Sequence, residues 1–314
     1  MKENVNICLI QDAPVFFDRR RTINKMIDHI SSAHDQGVDL IVFPEAYVPG
    51  YPRGFTFGTD IGRRTKEGKA LYEKYWQESL DLQSEDMHLL IQASRKYDMY
   101  LVAGITERES THGSLYCTTV YISPRDGLMG IHRKIKPTAA ERIVWSEGDG
   151  STLTTFNTEL GILGGLICWE NYMPEARLSM YKRGVQLYIA PTADARDSWV
   201  SSMQHIALEG RCFVLSCNQY VKKTDIPDEY HQHLYSYSDI VCRGGSLICS
   251  PDGNLIKGPV YDQSSMIMAT LNMNQLISSK LDFDPNGHYT RNDIFAFSVK
   301  NMPPTFNENG PSET

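Results

Sequence analysis

The chain has 314 residues, 41% of them hydrophobic and 22% charged, enough to bury a large core as one or two domains. Its formal net charge is −7 without any basic block, which argues against nucleic acid or an anionic membrane surface as a partner. No apolar run approaches the ~18 residues of a membrane span, and the opening MKENVNICLIQ lacks the cationic start and apolar stretch of a secretory leader, so a cytoplasmic globular protein is expected.

Taken in order, Val5 to Gln11 reads as a strand. Asp18 to Gln36 reads as a helix, with Ile23, Met26, Ile27, Ile30 and Ala33 at helical spacing and Gly37 as a stop. Asp39 to Phe43 is apolar without alternation, the mark of a strand buried on both faces, and it ends at Pro44-Glu45. PGYPRGFTFGTDIG, residues 49–62, is a Gly/Pro/aromatic loop, followed by a polar, partly helical excursion from Thr65 to Leu82. Ser84 to Tyr97 reads as a helix and Tyr100 to Glu107 as a strand. A hairpin comes next, Ser114 to Ser123 and Gly127 to Lys134, turning at Arg125-Asp126-Gly127. Strands are expected at Thr152 to Phe156 and Gly161 to Ile167. The second stops at Cys168-Trp169-Glu170, before a helix from Pro174 to Gly184 whose proline suits a first turn.

The rest alternates in the same way. Val185 to Pro191 and Cys212 to Asn218 read as strands around a helix at Ser198 to Arg211. A polar loop runs from Lys222 to Asp239. Strands at Ser246 to Ser250, Asn254 to Lys257 and Ser265 to Leu271 precede a last helix at Asn274 to Leu281. Helices alternating with strands, and hairpins among the crossovers, give an α/β domain with mixed pairing over 1–299 and a polar tail over 300–314.

The seven cysteines are odd in number and sit mostly in β-like runs such as IVCRGGSLICS, as reduced thiols do. No Cys-x-x-Cys pair occurs, and His231-Gln-His233 has no third ligand beside it, so no metal is expected. Gly148-Asp149-Gly150 lacks the strand–loop–helix context of a phosphate cradle.

Three residues share one placement. Glu45, Lys134 and Cys168 each stand where a β-like segment gives way to loop, the position at which α/β folds hold their chemistry. Singly, each has a plain reading: an exposed loop acid, a solvated cation, a small core thiol. Together they form a sufficient chemical set. A carboxylate can take the thiol's proton, an ammonium can stabilise a developing anion, and the thiol can attack.

The words FPEA (Phe43 to Ala46), HRKIKPT (His132 to Thr138), ERIVWSEGDG (Glu141 to Gly150) and CWENYMPEAR (Cys168 to Arg177), with HYTRNDIF (His288 to Phe295) near the end, closely resemble the nitrilase family of carbon–nitrogen hydrolases. CWEN followed by YMP, and the GDG word after ERIV, resemble its nitrile-cleaving branch. The resemblance implies an α-β-β-α sandwich of two mixed sheets flanked by helices. It puts the nucleophile on Cys168, the general base on Glu45, the lysine on Lys134 and a supporting glutamate on Glu141. It also implies a small-molecule nitrile as substrate, no cofactor, and self-association into a homodimer or larger spiral homo-oligomer, for which the Lys222 to Asp239 loop is a candidate surface. Tyr51, Trp145 and Trp169 flank the motifs and are candidates to line an apolar substrate pocket, with Thr192 to Trp199 as another wall. An amidase or carbamoylase using the same residues is the alternative reading, and a non-catalytic assembly or binding protein the more distant one.

Overall fold

The structure is a computed structural model that describes residues 2–234 and 239–300. In chain order it begins with β1 (Asn4–Gln11), α1 (Arg19–His34), β2 (Leu40–Val42), a small hairpin of β3 (Thr59–Asp60) and β4 (Arg63–Arg64), α2 (Lys66–Glu78) and α3 (Glu85–Lys96). The strands β5 (Tyr100–Arg108), β6 (Leu115–Ser123), β7 (Gly127–Arg133), β8 (Phe156–Thr158) and β9 (Gly161–Gly165) follow, then α4 (Pro174–Lys182), β10 (Leu187–Thr192), α5 (Asp197–Gly210) and β11 (Phe213–Asn218). Last come β12 (Tyr220–Lys222), β13 (Ile240–Cys249), β14 (Leu255–Tyr261), β15 (Ser265–Asn272) and α6 (Gln275–Ser278). The first three helices start where the sequence supplies a cap: Asp18, Thr65 and Ser84 each accept a hydrogen bond from a backbone N–H in the first turn, satisfying donors the helix leaves free.

The strands form two mixed sheets. One has the order β15-β1-β2-β5-β6-β7, the other β12-β13-β11-β10-β9-β8 with β14 paired to β13. Side chains alternate along each central strand. Ile7 and Leu9 of β1 face the second sheet, where they share a core with Leu163, Leu187, Ile189 and Leu215. Cys8 and Ile10 face the other way, against Ile23, Met26 and Ile30 of α1 and Met87 and Leu90 of α3. The second sheet repeats the pattern: Tyr188, Ala190 and Val214 pack under Ala176 and Met180 of α4 and Trp199, Met203 and Ile206 of α5. The layers are therefore helix, sheet, sheet, helix, the expected α-β-β-α sandwich.

Several expected boundaries shift. The strand expected at Thr152 to Phe156 is a tight turn at Gly150–Thr152 followed by β8 at Phe156–Thr158. Asp149 caps that turn by accepting from the Ser151 N–H, and Thr152 is turned toward His132 and Arg133 rather than into a ladder. The strand expected to begin at Ser246 begins at Ile240. Gly244 and Gly245 look like a break, yet they lie inside it at φ of +88° and +106°, and the Gln11 side chain accepts from Gly245 and Ser246 in the space a Cβ at Gly244 would occupy. The last helix is one turn, Gln275–Ser278, continued by a 3-10 turn to Leu281. The Lys222 to Asp239 loop contains short turns at Lys223–Asp225 and Asp228–His233, and its residues 235–238, like 301–314 of the expected tail, lie outside the described residues.

Gly165 marks how closely β9 and β10 approach. A Cβ there would sit 1.9 Å from the Ile189 carbonyl oxygen, a backbone atom that cannot swing aside. Gly165→Ala is therefore expected to cost about 1–3 kcal/mol of stability, read as a fall in Tm of several degrees. Gly113→Ala, with nothing within 4 Å of the new methyl group, is expected to leave Tm unchanged.

Candidate active site

Three chain segments leave the sheets at one edge of the sandwich and converge. Glu45 follows β2, held by β5: the Phe43 and Tyr47 N–H groups donate to the Val102 and Gly104 carbonyls at 2.8 Å each. Residue 104 has to be glycine, because a Cβ would lie 2.2 Å from the Pro44 oxygen and 2.6 Å from the Glu45 Cα. Lys134 follows β7. Its N–H donates to the Cys117 carbonyl at 2.8 Å, and its carbonyl accepts from Gly148 at 2.8 Å. That close approach accounts for the first glycine of the GDG word, since a Cβ on Gly148 would meet the Arg133 oxygen at 2.5 Å.

Cys168 follows β9 as the first residue of a tight turn, Cys168–Tyr172, with φ at +50°. A non-glycine residue in that region is strained, and such strain persists only where neighbours over-determine it. Here they do. Asn171 Nδ2 donates to the Cys168 and Leu166 carbonyls at 2.8 and 3.0 Å, while the Tyr188 hydroxyl holds the Asn171 oxygen at 2.8 Å. Glu170, fully buried, accepts from the Ile167 N–H at 2.7 Å on its own side. It reaches across to the segment after β7, where it accepts from the Ile135 N–H at 2.5 Å and pairs with His132 Nε2 at 3.0 Å. One carboxylate thus fastens the cysteine turn of one sheet to the lysine loop of the other. Burial opposes the charge on His132, but Glu170 outweighs it and raises the imidazole's pKa.

The side chains meet in an ion cluster. The Lys134 ammonium, 0% exposed, lies 2.7 Å from Glu45 Oε1 and 2.7 Å from Glu141 Oε2. Glu141 is fixed by the Thr138 N–H at 2.6 Å and the Tyr51 hydroxyl at 2.7 Å. The Cys117 thiol donates to Glu45 Oε1 at 3.5 Å, whereas Oε2 of Glu45 has no hydrogen-bond partner of ordinary geometry. Thr192 Oγ1 donates to the Cys168 sulfur at 3.2 Å. Burial raises the Glu45 carboxyl above its usual range; Lys134 opposes that and Glu141 adds to it. Burial and then Glu45 push the Cys168 thiol up to about 12, against the pull of Lys134. Lys134 is desolvated, yet its anionic neighbours, Glu45 first, hold its pKa well above the usual lysine value. At neutral pH the cysteine therefore rests as a thiol beside a carboxylate and an ammonium.

A cavity of about 580 Å³ opens onto this cluster, lined by Tyr51, Glu141, Cys168 and Trp169 and, on the other side, by Ala193, Asp194, Ala195 and Arg196. The wall expected at Thr192 to Trp199 is thus formed by its middle, while Trp199 points under the sheet and donates to Ser216. Trp169 is 40% exposed, its indole N–H donating to Asp194 and its ring lying beneath Arg196. Trp145 is not on the wall. It is 2% exposed and packs behind Tyr51, 5.9 Å from the Lys134 ammonium, so it backs the cluster instead of lining the pocket. His231 directs Nε2 at the Lys223 and Ile226 carbonyls.

The sequence is matched by the carbon–nitrogen hydrolase family model over residues 6–280. The aliphatic nitrilase of Sinorhizobium fredii (strain HH103) is 44% identical over 94% of this chain and 95% of its own length. The bifunctional nitrilase/nitrile hydratase NIT4B of Nicotiana tabacum is 42% identical over 94% of this chain and 86% of its own. The chain belongs to the carbon–nitrogen hydrolase family. The solved carbon–nitrogen hydrolase of Helicobacter pylori G27 superposes with a TM-score of 0.73 at 18% identity, covering 93% of this chain and 97% of that one. That likeness concerns the fold.

Within this carbon–nitrogen hydrolase, sequence reasoning named Glu45, Lys134, Glu141 and Cys168, and the fold brings all four together. It missed Cys117, Glu170 and Arg53. Glu170 had a signal, being an acid in an apolar context directly after the cysteine. Cys117 had none beyond its place in a β-run.

Removing Glu170 would strand His132 and two backbone N–H groups in the interior. Glu170→Ala is expected to lose about 3–5 kcal/mol in urea unfolding, and Glu170→Gln, which keeps an acceptor, to lose less. Equal stability of Glu170→Ala and wild type would refute the clamp.

Proposed function

We propose that the protein is a nitrilase that converts a nitrile to the carboxylic acid and ammonia through Cys168. The observation carrying this reading is a buried Glu45–Lys134–Glu141 cluster directly behind a cavity lined by Cys168 and Glu141, in a chain whose relatives at 39–44% identity bear nitrilase names. Cys168 Sγ attacks the nitrile carbon while its proton passes to Glu45 and on to the nitrile nitrogen, giving a thioimidate. Concerted transfer is required because a thiol held near 12 supplies almost no free thiolate at neutral pH. Water activated by Glu45 then adds, ammonia leaves with a proton, and a thioester remains. A second water, again relieved of its proton by Glu45, releases the acid and restores the thiol.

Lys134 has three N–H donors, and two are occupied by Glu45 and Glu141. The third is free to meet the anionic nitrogen or oxygen as it develops, a contribution worth on the order of 10²–10³ in rate. Glu141 holds the ammonium in place and needs no contact with substrate. Collapse of the tetrahedral intermediate with loss of sulfur instead of nitrogen would yield amide; several relatives are named as bifunctional nitrilase/nitrile hydratases, so amide is to be measured beside acid.

We further read residues 1–299 as one hydrolase domain acting in the cytoplasm as a homo-oligomer. Seven free cysteines without a disulfide support a reducing compartment. The exposed Ile277, Leu281, Ile294 and Phe295 support self-association. A monomeric mass by light scattering would overturn the oligomer.

Cys168→Ala is expected to abolish acid and ammonia release from nitriles while Tm stays near wild type; persisting turnover would end the proposal. In wild type, kcat/KM is expected to rise with pH through a pKa above the ordinary carboxylate range, because Glu45 must be ionised and its pKa is raised. The rate is expected to hold through about 8.5, where an unperturbed thiol would titrate.

A further inference from the structure

Arg53 stands in the catalytic cavity without a counter-ion. The other cations at its wall are matched, Arg196 with Asp194 and Arg243 with Asp197, and so is Lys134 behind it, with Glu45 and Glu141. Among the described residues, no carboxylate lies within ion-pair distance of Arg53. Its Nη2 donates to the Ala193 carbonyl and, at 3.8 Å, to the Cys242 sulfur, and its guanidinium lies 5.5 Å from the Tyr51 ring centre. These contacts fix the plane of the group. Among the described residues Nε and Nη1 have no acceptor, and neither is among the atoms sealed from solvent without a partner.

Holding a half-buried cation without an anion is unfavourable, so the arrangement persists for a reason. A guanidinium is weakly hydrated and presents planar donors that match a carboxylate. We propose that Arg53 is an anion subsite, and that the preferred substrates are small nitriles bearing a carboxylate, bound with the nitrile carbon at Cys168 and the carboxylate at Arg53. This assignment rests on the nitrilase reading and narrows it to a substrate class. The competing role is charge balance. Glu45 and Glu141 carry two negative charges against one on Lys134, and Arg53 would offset the excess. Charge balance acts on every nitrile alike, whereas a subsite acts on those with an anion.

The two are separated by a matched pair of substrates, cyanopropanoate and its neutral methyl ester, with ammonia release followed for each. Wild type is expected to favour the carboxylate in kcat/KM by at least tenfold, on the order of one well-placed charged contact. Arg53→Gln is expected to abolish that preference, bringing the carboxylate-to-ester ratio down to about one, and Arg53→Lys to restore part of it. Equal losses on both substrates, or no preference in wild type, would overturn the subsite. Wild-type turnover of the ester with no preference would leave the nitrilase reading standing; turnover of neither nitrile would count against that reading as well. Should Arg53→Gln fail to fold, inhibition of wild type by propanoate against propanamide decides: stronger inhibition by the anion supports the subsite, and equal inhibition overturns it.

Discussion

A lysine with no exposed surface, held between two carboxylates, is the constraint to which the rest of this molecule conforms. Moving three charges out of water is expensive, several kcal/mol for each even after relaxation, and attraction offsets that only when the remaining donors and acceptors are satisfied. The cluster meets most of the condition from several parts of the chain, leaving Glu45 Oε2 and one Lys134 N–H over. Tyr51 and the Thr138 N–H serve Glu141, Cys117 serves Glu45, and two carboxylates serve Lys134. Removing any one of them would leave a buried charge short of a partner. The loop before β3, the β6 strand and the turn after Lys134 are therefore fixed by the site as much as they support it.

The sandwich sets the distances. Glu45 and Lys134 hang from the first sheet and Cys168 from the second, so the separation between base and nucleophile is the separation between sheets at that edge. The apolar layer of Ile7, Leu9, Leu163, Leu187 and Ile189 holds the sheets apart by packed side chains that do not compress. Glu170 ties them across the edge itself, from the cysteine turn to Ile135 and His132. Strain at Cys168 can be held there because the turn is gripped from both sides. The same burial that organises the cluster also keeps the cysteine protonated at rest.

What the sequence disclosed follows from what each feature depends on. Helices α1, α3 and α5 were legible because their apolar spacing is a local property and the first two are preceded by capping residues. Glu45, Lys134 and Cys168 were legible because each stands at a strand end within a distinctive word, and Glu141 because it opens such a word. The division into two sheets rested on the resemblance, since strand spacing alone does not say which strands pair. Gly244 and Gly245 misled because a bulge is set by its partner, here the side chain of Gln11 from far along the chain. Trp145 misled for the opposite reason. Its neighbourhood in sequence is that of the pocket, but its ring is turned toward the back of Lys134. Arg53, in a loop rich in glycine and proline, gave no local sign that it reaches the cavity.

Chemistry and selection are thus assigned to different parts of the fold. The reacting groups come from strand ends braced by two sheets, where displacement of an atom by an ångström would break buried ion pairs. The opposite wall, Arg53, Asp194, Arg196 and the start of β13 around Val241 and Arg243, comes from loops and one strand terminus. Its cations are paired at the rim, where Arg196 is partly solvated; among the described residues Arg53 and, of the acids, Asp262 have no ion-pair partner. Substitution on that wall can change which molecule is held without disturbing how a bound nitrile reacts, because no hydrogen bond of the Glu45–Lys134–Glu141 cluster passes through it. Thr192, which touches the sulfur, Tyr51, which touches Glu141, and Trp169, whose indole N–H donates to Asp194, link the two halves. The solvent-facing half of the cavity is accordingly where members of one family can diverge in substrate while keeping a common reaction.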